Sequence, residues 1–401
     1  VYGHYGAAKG QPPYHPGLMT ALLLYGYCRG IYSSRRVELA CEERLDFRAL
    51  VGSERPDHST IAEFRKTHQG ALAGLFVQVL ALCRDAGLAK LGHVALDGTK
   101  VRANASRHAA MSYQRMKEAE PELAEEVGRW LSAANEADDA EDAQYGKDKR
   151  GDEIPEHVRK KAHKLAKIRG AKARLEEQAR ADMERAEAER SAKEAARCEK
   201  LRGRKPKALE GVPDDKAQSN FTDPESRIMK TAGGYEQAYN AQAAVDAESQ
   251  VIVAQALTNE QNDCNQLESL LDQVEVNLGV MPAQVSADAG YCSEANLQVL
   301  EDRKVDAYIA TGRQKHGTAS PTSSERTCKA PRILAMAGKL RAGGWESPYR
   351  LRKQSVEPVF GQIKECRGFR RFLRRGLANV RAEWALLCTV HNLLKLAAAR
   401  G

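Results

Sequence analysis

Apolar positions in the first ninety residues recur with helical spacing. Leu72, Leu75, Phe76, Val79, Leu80 and Cys83 stand at i, i+3, i+4, i+7, i+8 and i+11, the signature of a helix with one buried face. Leu18, Met19, Leu22 and Leu23 mark an earlier helix, and Thr60 to Glu63 has the capping-box spacing that would start a short one. The pattern predicts an all-helical domain over residues 1–92 whose surface, with Arg35, Arg36, Arg55, Arg65, Lys66 and His68, suits either DNA or plain solvent.

At His93 the pattern changes. The run from His93 to Val101 is apolar, is interrupted by Asp97-Gly98, and reads as a strand. Tyr239 to Asp246 and Gln250 to Ala256, around a turn at 247–249, predict a hairpin. A helix follows near Cys264 to Val276, then short strands at Ala283 to Asp288 and Val305 to Ala310. Strands and helices in this order predict a mixed α/β sheet flanked by helices. Residues 93–111 and 218–401 then form one discontinuous domain.

The intervening 112–217 differ in composition. Of residues 171–200, 16 of 30 are charged, with both signs interspersed. Glu176 with Arg180 and Glu189 with Lys193 are i,i+4 pairs, and Leu165, Ile168 and Leu175 supply a thin apolar seam. An antiparallel helical hairpin is predicted, the alternative being a partly disordered charged insert. Gly203, Pro206, Gly211 and Pro213 are expected to end its second helix. Near the C-terminus, Val380, Trp384, Leu387, Cys388, His391 and Leu394 define a buried helix face, with His391 a structural histidine.

Charge adds a modest bias. The chain carries 62 Lys+Arg against 54 Asp+Glu, a net +8, which favours an anionic partner only where the cations cluster. They do so at Arg367, Arg370, Arg371, Arg374 and Arg375, with Phe369 and Phe372 between them, a strip suited to phosphates. Nine cysteines without a C-x-x-C pair suggest neither a zinc site nor a disulfide framework. No apolar stretch approaches 18 residues and no basic-then-apolar leader is present, so a soluble intracellular protein with no membrane partner is expected. The first residue is Val, so further residues are expected upstream.

Three acids stand where chemistry is expected. Asp97 and Asp288 each end an apolar run and precede small residues, so both can project from one sheet edge. Glu357 precedes Pro358, which places it in the first turn of a helix capped by Ser355. Lys364, seven residues on, falls on the same helix face. Carboxylates from separate elements suit a pair of hard cations. Taken singly, each is equally an ordinary surface acid.

Several segments resemble the bacterial insertion-sequence transposases of the DDE type: VALDGTKVRANAS around Asp97, TDPESRIMKTAGGYEQAYNAQAAVD from Thr222, SADAGYCS around Asp288 and YRLRKQSVEPVFGQIKE from Tyr349. That family carries a Y-x2-R-x3-E-x6-K signature. Glu357 and Lys364 match its end, Tyr349 and Arg352 keep its first spacing, and Lys353 stands where the Arg before Glu would be. The resemblance implies a ribonuclease-H-like core in which Asp97, Asp288 and Glu357 are catalytic and hold two Mg²⁺ ions, with Mn²⁺ as a substitute. It implies DNA contacts by Tyr349, Arg352, Lys353, Lys364 and the arginines from Arg367 to Arg375. The implied partners are terminal inverted repeats and target DNA, bound by a homodimer in a bacterial cytoplasm, at the nucleoid. The implied reaction frees a 3′-hydroxyl at the element's end and joins it to target DNA. The alternatives are a nuclease on the same scaffold and an inactive or domesticated DNA-binding descendant.

Overall fold

The computed structural model describes residues 14–145, 156–197, 210–231, 233–312, 322 and 330–401. They divide into two compact units, one holding the chain up to Asn104 together with Ile228–Gly401, the other Ala105–Arg227.

The first unit opens with helices α1 (Pro16–Cys28), α2 (Ser34–Glu43), α3 (Leu45–Val51), α4 (His58–Thr67) and α5 (Gln69–Asp85). Met19, Leu22 and Leu23 meet Val37, Phe47, Ile61 and Leu72 in one apolar cluster. Helix α4 starts earlier than the Thr60 capping box predicts. Asp57 is its cap, accepting from the N–H groups of Ser59 and Thr60 and from the Thr60 hydroxyl, so the cap stands three residues upstream of Thr60. The chain then enters β1 (His93–Arg102).

The second unit contains β2 (Ala110–Ser112), α6 (Tyr113–Tyr145), α7 (Glu156–Arg197) and β3 (Gln218–Asn220), with β2 and β3 antiparallel. The two long helices run antiparallel: Glu126 meets Lys161, Glu120 meets Arg169 and Lys172, and Tyr113 meets Glu176. Tyr113, Met116, Ile168, Ala171 and Leu175 form the seam. The predicted Glu189–Lys193 pair and the breakers Gly203 and Pro206 lie outside the described residues and side chains.

The first unit resumes with β4 (Arg227–Thr231), β5 (Gly234–Asp246), β6 (Ile252–Thr258), α8 (Leu267–Leu278), β7 (Gln284–Ala287), α9 (Glu294–Asp302), β8 (Asp306–Ile309), α10 (Pro331–Gly343), α11 (Leu351–Gly361), a π-helical turn Gln362–Cys366, and α12 (Leu377–Ala399). The main path through the sheet is β4-β5-β1-β7-β8, with β6 also on β5. Strand β1 is antiparallel to β5 and parallel to β7, which is parallel to β8. The β5–β6 turn is fixed by Asp246, whose buried carboxylate accepts from the N–H groups of Glu248 and Ser249.

Helix α12 is buried from Glu383 to Asn392 and packs on α5 and β6. His391 is structural, with Nε2 2.9 Å from the Gln250 carbonyl, and burial pushes its pKa down to about 3. Leu394, predicted in the core, is instead 40 % exposed at the far end of the helix. No helix among the described residues is long and apolar enough to cross a membrane.

Candidate active site

Asp97 does not end a strand. Strand β1 continues through Gly98 to Arg102 because β5 pairs along its whole length, from Val94↔Asp246 to Arg102↔Ala238. The partner on its other side stops sooner: β7 pairs with β1 only as far as Leu96↔Ala287. Asp97 and Asp288 are the next residues on two parallel neighbours, which brings both carboxylates to one sheet edge.

Glu357 arrives from α11. The helix begins at Leu351, on a 3₁₀ turn at Pro348–Arg350, so Glu357 lies in its middle and not in its first turn. Pro358 would leave the Gln354 carbonyl without its helical donor. Gln250 fills the role, its Nε2 donating to that carbonyl at 3.0 Å. Ser355 is not a cap; its hydroxyl bonds back to the Leu351 carbonyl at 2.5 Å.

One guanidinium gathers the three acids. Arg352 Nη2 donates to Asp97 Oδ2 at 2.9 Å and lies 4.0 Å from Asp288 Oδ2, while Nη1 is 3.5 Å from Glu357 Oε1. Arg352 is 8 % and Asp97 9 % exposed, whereas Glu357 is largely open. Burial pushes Asp97 up to about 6 against the pull of Arg352, with the Asp288 charge adding to the rise. Burial raises Asp288 also, again opposed by Arg352. Main-chain donors set both rotamers: the Gly98 N–H reaches Asp97 Oδ1 and the Gly290 N–H reaches Asp288 Oδ1, each at 2.9 Å.

Lys364 sits in the π-helical turn and reaches the same strand. Its Nζ donates to Thr99 Oγ1 at 2.5 Å and to the Lys100 carbonyl at 2.8 Å, and burial lowers its pKa. Tyr349 is buried and Lys353 exposed. The cation beside the carboxylates is therefore Arg352 rather than Lys353, although Lys353 has the family spacing to Glu357.

The arginine strip divides. Phe369 and Phe372 are buried and pack edge-on against each other and against Tyr32 and Tyr239. Arg367 turns inward with Nη2 3.5 Å from His391 Nδ1, and Arg374 is tied to the Arg65 carbonyl and Asn379. Arg370, Arg371 and Arg375 stay on the surface, Arg370 paired with Glu365. In the N-terminal helices His68 is likewise buried and Arg65 is bonded to the Tyr32 carbonyl.

Sequence reasoning missed a second polar group on the reverse face of β1. Gly98 and Lys100 lie opposite Gln242 and Asn240 in register, and all four surround Asp263. The available signal was the pair Asn240 and Gln242, polar residues two apart in a strand that is otherwise rich in alanine.

All-oxygen donors of this kind suit a hard divalent cation. Asp97 and Asp288 are held above the usual carboxylate range, the condition that an added positive charge relieves. In the structure Arg352 supplies that charge, and among the described residues no three acidic, His or Cys side chains lie close enough to enclose an ion by themselves. The donor set fits such an ion, with Arg352 as its alternative partner.

Two family models match the chain: residues 1–67 match a transposase domain (DUF772) and residues 204–393 match a transposase DDE domain. The chain belongs to the DDE transposases of insertion sequences. No curated protein and no solved structure matches it. The second match takes in Asp288 and Glu357, but Asp97 lies in the unmatched stretch between the two and rests on the register of β1 with β7.

Proposed function

We propose that the chain cleaves the ends of a mobile DNA element and joins the freed 3′-hydroxyl to target DNA, with Asp97, Asp288 and Glu357 as its catalytic carboxylates. The observation that carries this reading is the convergence of those three acids, from two strands and a helix, on the guanidinium of Arg352. The sequence β6-β5-β1-β7-β8, antiparallel up to β1 and parallel beyond it, supports a ribonuclease-H-like core.

The carboxylates would hold divalent cations, Mg²⁺ or in its place Mn²⁺, which when bound activate the attacking oxygen and stabilise the leaving one. In the first step water attacks a phosphorus at the element's end, and the bond from that phosphorus to the 3′-oxygen breaks. In the second, the freed 3′-hydroxyl attacks a target phosphorus and displaces another 3′-oxygen. The chain contributes positioning. Gly98 and Gly290 N–H groups fix the two aspartates, and Lys364, with two of its three ammonium protons committed, keeps one for a DNA phosphate. Arg352 balances the acids before the cations arrive and can then pair with phosphate. Arg370, Arg371, Arg375 and Lys353 contribute sequence-independent DNA contact, and the helices before residue 92 read the terminal repeats as part of a dimer on bacterial DNA. Residues 112–217 serve contacts within that complex.

The test is cleavage of labelled DNA carrying the element's ends. Wild type should cut with Mg²⁺ and yield strand-transfer products. Asp97→Ala, Asp288→Ala and Glu357→Gln should each bind DNA without cutting it, and retained cutting by one variant would remove that residue from the site. Cutting without strand transfer would make the protein a nuclease.

A further inference from the structure

A fourth carboxylate stands behind the site. Asp263 follows β6, just ahead of α8, and its Oδ1 accepts from Asn240 Nδ2 and Gln242 Nε2, each at 2.6 Å, and from Lys100 Nζ at 3.3 Å. Asn240 and Gln242 are fully buried, and Gln242 is held in turn by the buried hydroxyl of Tyr291. Three donors from β1 and β5 on one oxygen make Asp263 a fixed point.

Its position explains the two glycines that follow the catalytic aspartates. A Cβ at Gly98 would stand 2.3 Å from Gln242 Nε2 and 2.6 Å from Asp263 Oδ1, distances no side chain tolerates. A Cβ at Gly290 would stand 3.1 Å from Asp263 Oδ2 and 3.0 Å from Asp288 Oδ1. Neither glycine has a left-handed backbone, so the need for glycine is close approach. The Asp263 carboxylate is packed against the residue after Asp97 and the residue after Asp288. Those same residues donate the N–H groups that orient the two catalytic carboxylates.

We propose that Asp263 is a positioning residue for the divalent-cation site, holding the Gly98 and Gly290 main chain so that Asp97 and Asp288 present their oxygens together. This rests on the reading given under Proposed function. Asp263 acts through the two glycines, with Lys100, Asn240 and Gln242 as its anchors. Removing the charge weakens all three contacts at once, because they converge on one oxygen and a neutral amide oxygen accepts more weakly than a carboxylate and no longer pairs with the Lys100 ammonium. Groups that orient metal-binding carboxylates in this way typically control affinity by about 10- to 100-fold.

The experiment uses the full chain. Mn²⁺ binding is measured by calorimetry without DNA, and cleavage of end DNA is measured against Mn²⁺ concentration, for wild type, Asp263→Asn and Gly290→Ala. Gly290 is in an exposed turn, so Gly290→Ala keeps every charge, crowds the two carboxylates and serves where Asp263→Asn does not fold. Each variant should bind Mn²⁺ about 10-fold or more weakly and need correspondingly more Mn²⁺ for half-maximal cleavage, with a smaller change in the rate at saturation. A merely structural Asp263 would alter melting temperature and leave that split absent. Wild type that binds and cuts, with both variants matching its Mn²⁺ dependence, overturns this inference alone. Wild type that neither binds Mn²⁺ nor cuts overturns the proposed function and this inference with it.

Discussion

The α6–α7 hairpin and the edge of β1 are both rich in charge, and they use it in opposite ways. On the hairpin, Glu120 takes Arg169 and Lys172, and Lys161 takes Glu126, with most of these side chains in solvent. High dielectric screens such pairs, and each is replaceable. At β1 Asp97 and Arg352 are buried, and that guanidinium is shared with the half-buried Asp288 and the open Glu357. Around the buried Asp97–Arg352 pair water no longer compensates, so each of those two charges depends on a specific partner. Charge content marked the hairpin as the unusual region, yet the candidate site lies where charges are fewer but more deeply buried.

The largest test of that contrast is Glu357→Gln. Its side chain is open to solvent, so the fold should be kept while end cleavage falls about 10³-fold or more, as expected when a group worth several kcal/mol to the transition state is lost. Gel-based rates on end DNA would decide it, and a loss under 10-fold would remove Glu357 from the chemistry.

Arg352→Met comes next. It leaves three clustered acids without their counter-ion and should destabilise the protein by about 3 kcal/mol at pH 7. Added Mn²⁺ should restore much of the loss, since a cation that binds only the native state stabilises it. Urea midpoints with and without Mn²⁺ check both parts.

Asp97→Asn should have the opposite sign. Asp97 sits at about 6 in the native state against an ordinary 3.8, so the folded protein holds that proton more tightly than the unfolded chain. The contribution is present below about pH 4 and is lost as pH rises through 6. Wild type should therefore lose about 2 kcal/mol relative to Asp97→Asn across that interval, and the difference should stay level above pH 7. Melting curves at pH 4, 5, 6 and 7 would show it, and parallel profiles would mean that Asp97 is not held protonated by its burial.

The smallest effect belongs to the hairpin. Glu120→Ala removes both the Arg169 and Lys172 pairs and should cost about 1 kcal/mol or less, shrinking in high salt. A loss as large as that of Arg352→Met would erase the distinction between the two regions.

Much of this was legible in the chain. The α5 face from Leu72 to Cys83, the β5–β6 hairpin and the antiparallel α6–α7 pair follow from periodicity and charge spacing, which are local properties. Asp97 and Asp288 were recognisable because apolar runs stop beside them. The start of α11 was misread because a proline normally belongs to a first turn; here Gln250, a hundred residues earlier in the chain, supplies the missing donor. Arg367 and Arg374 looked like part of a continuous basic surface, but Phe369 and Phe372 go into the core and draw those two arginines inward with them.

The sequence by itself determined the main strands and helices and singled out the three acids, though not where Asp97 and Glu357 fall within their elements, because a side chain's period along the backbone decides only the face it can share. Only the tertiary structure decided that Arg352 lies among all three acids and that the Asp263 carboxylate packs against Gly98 and Gly290, beside Asp97 and Asp288. Those facts depend on burial, and burial of a charge is set by partners brought from distant parts of the chain: Arg352 lies 255 residues from Asp97, and Asp263 lies 163 from Lys100.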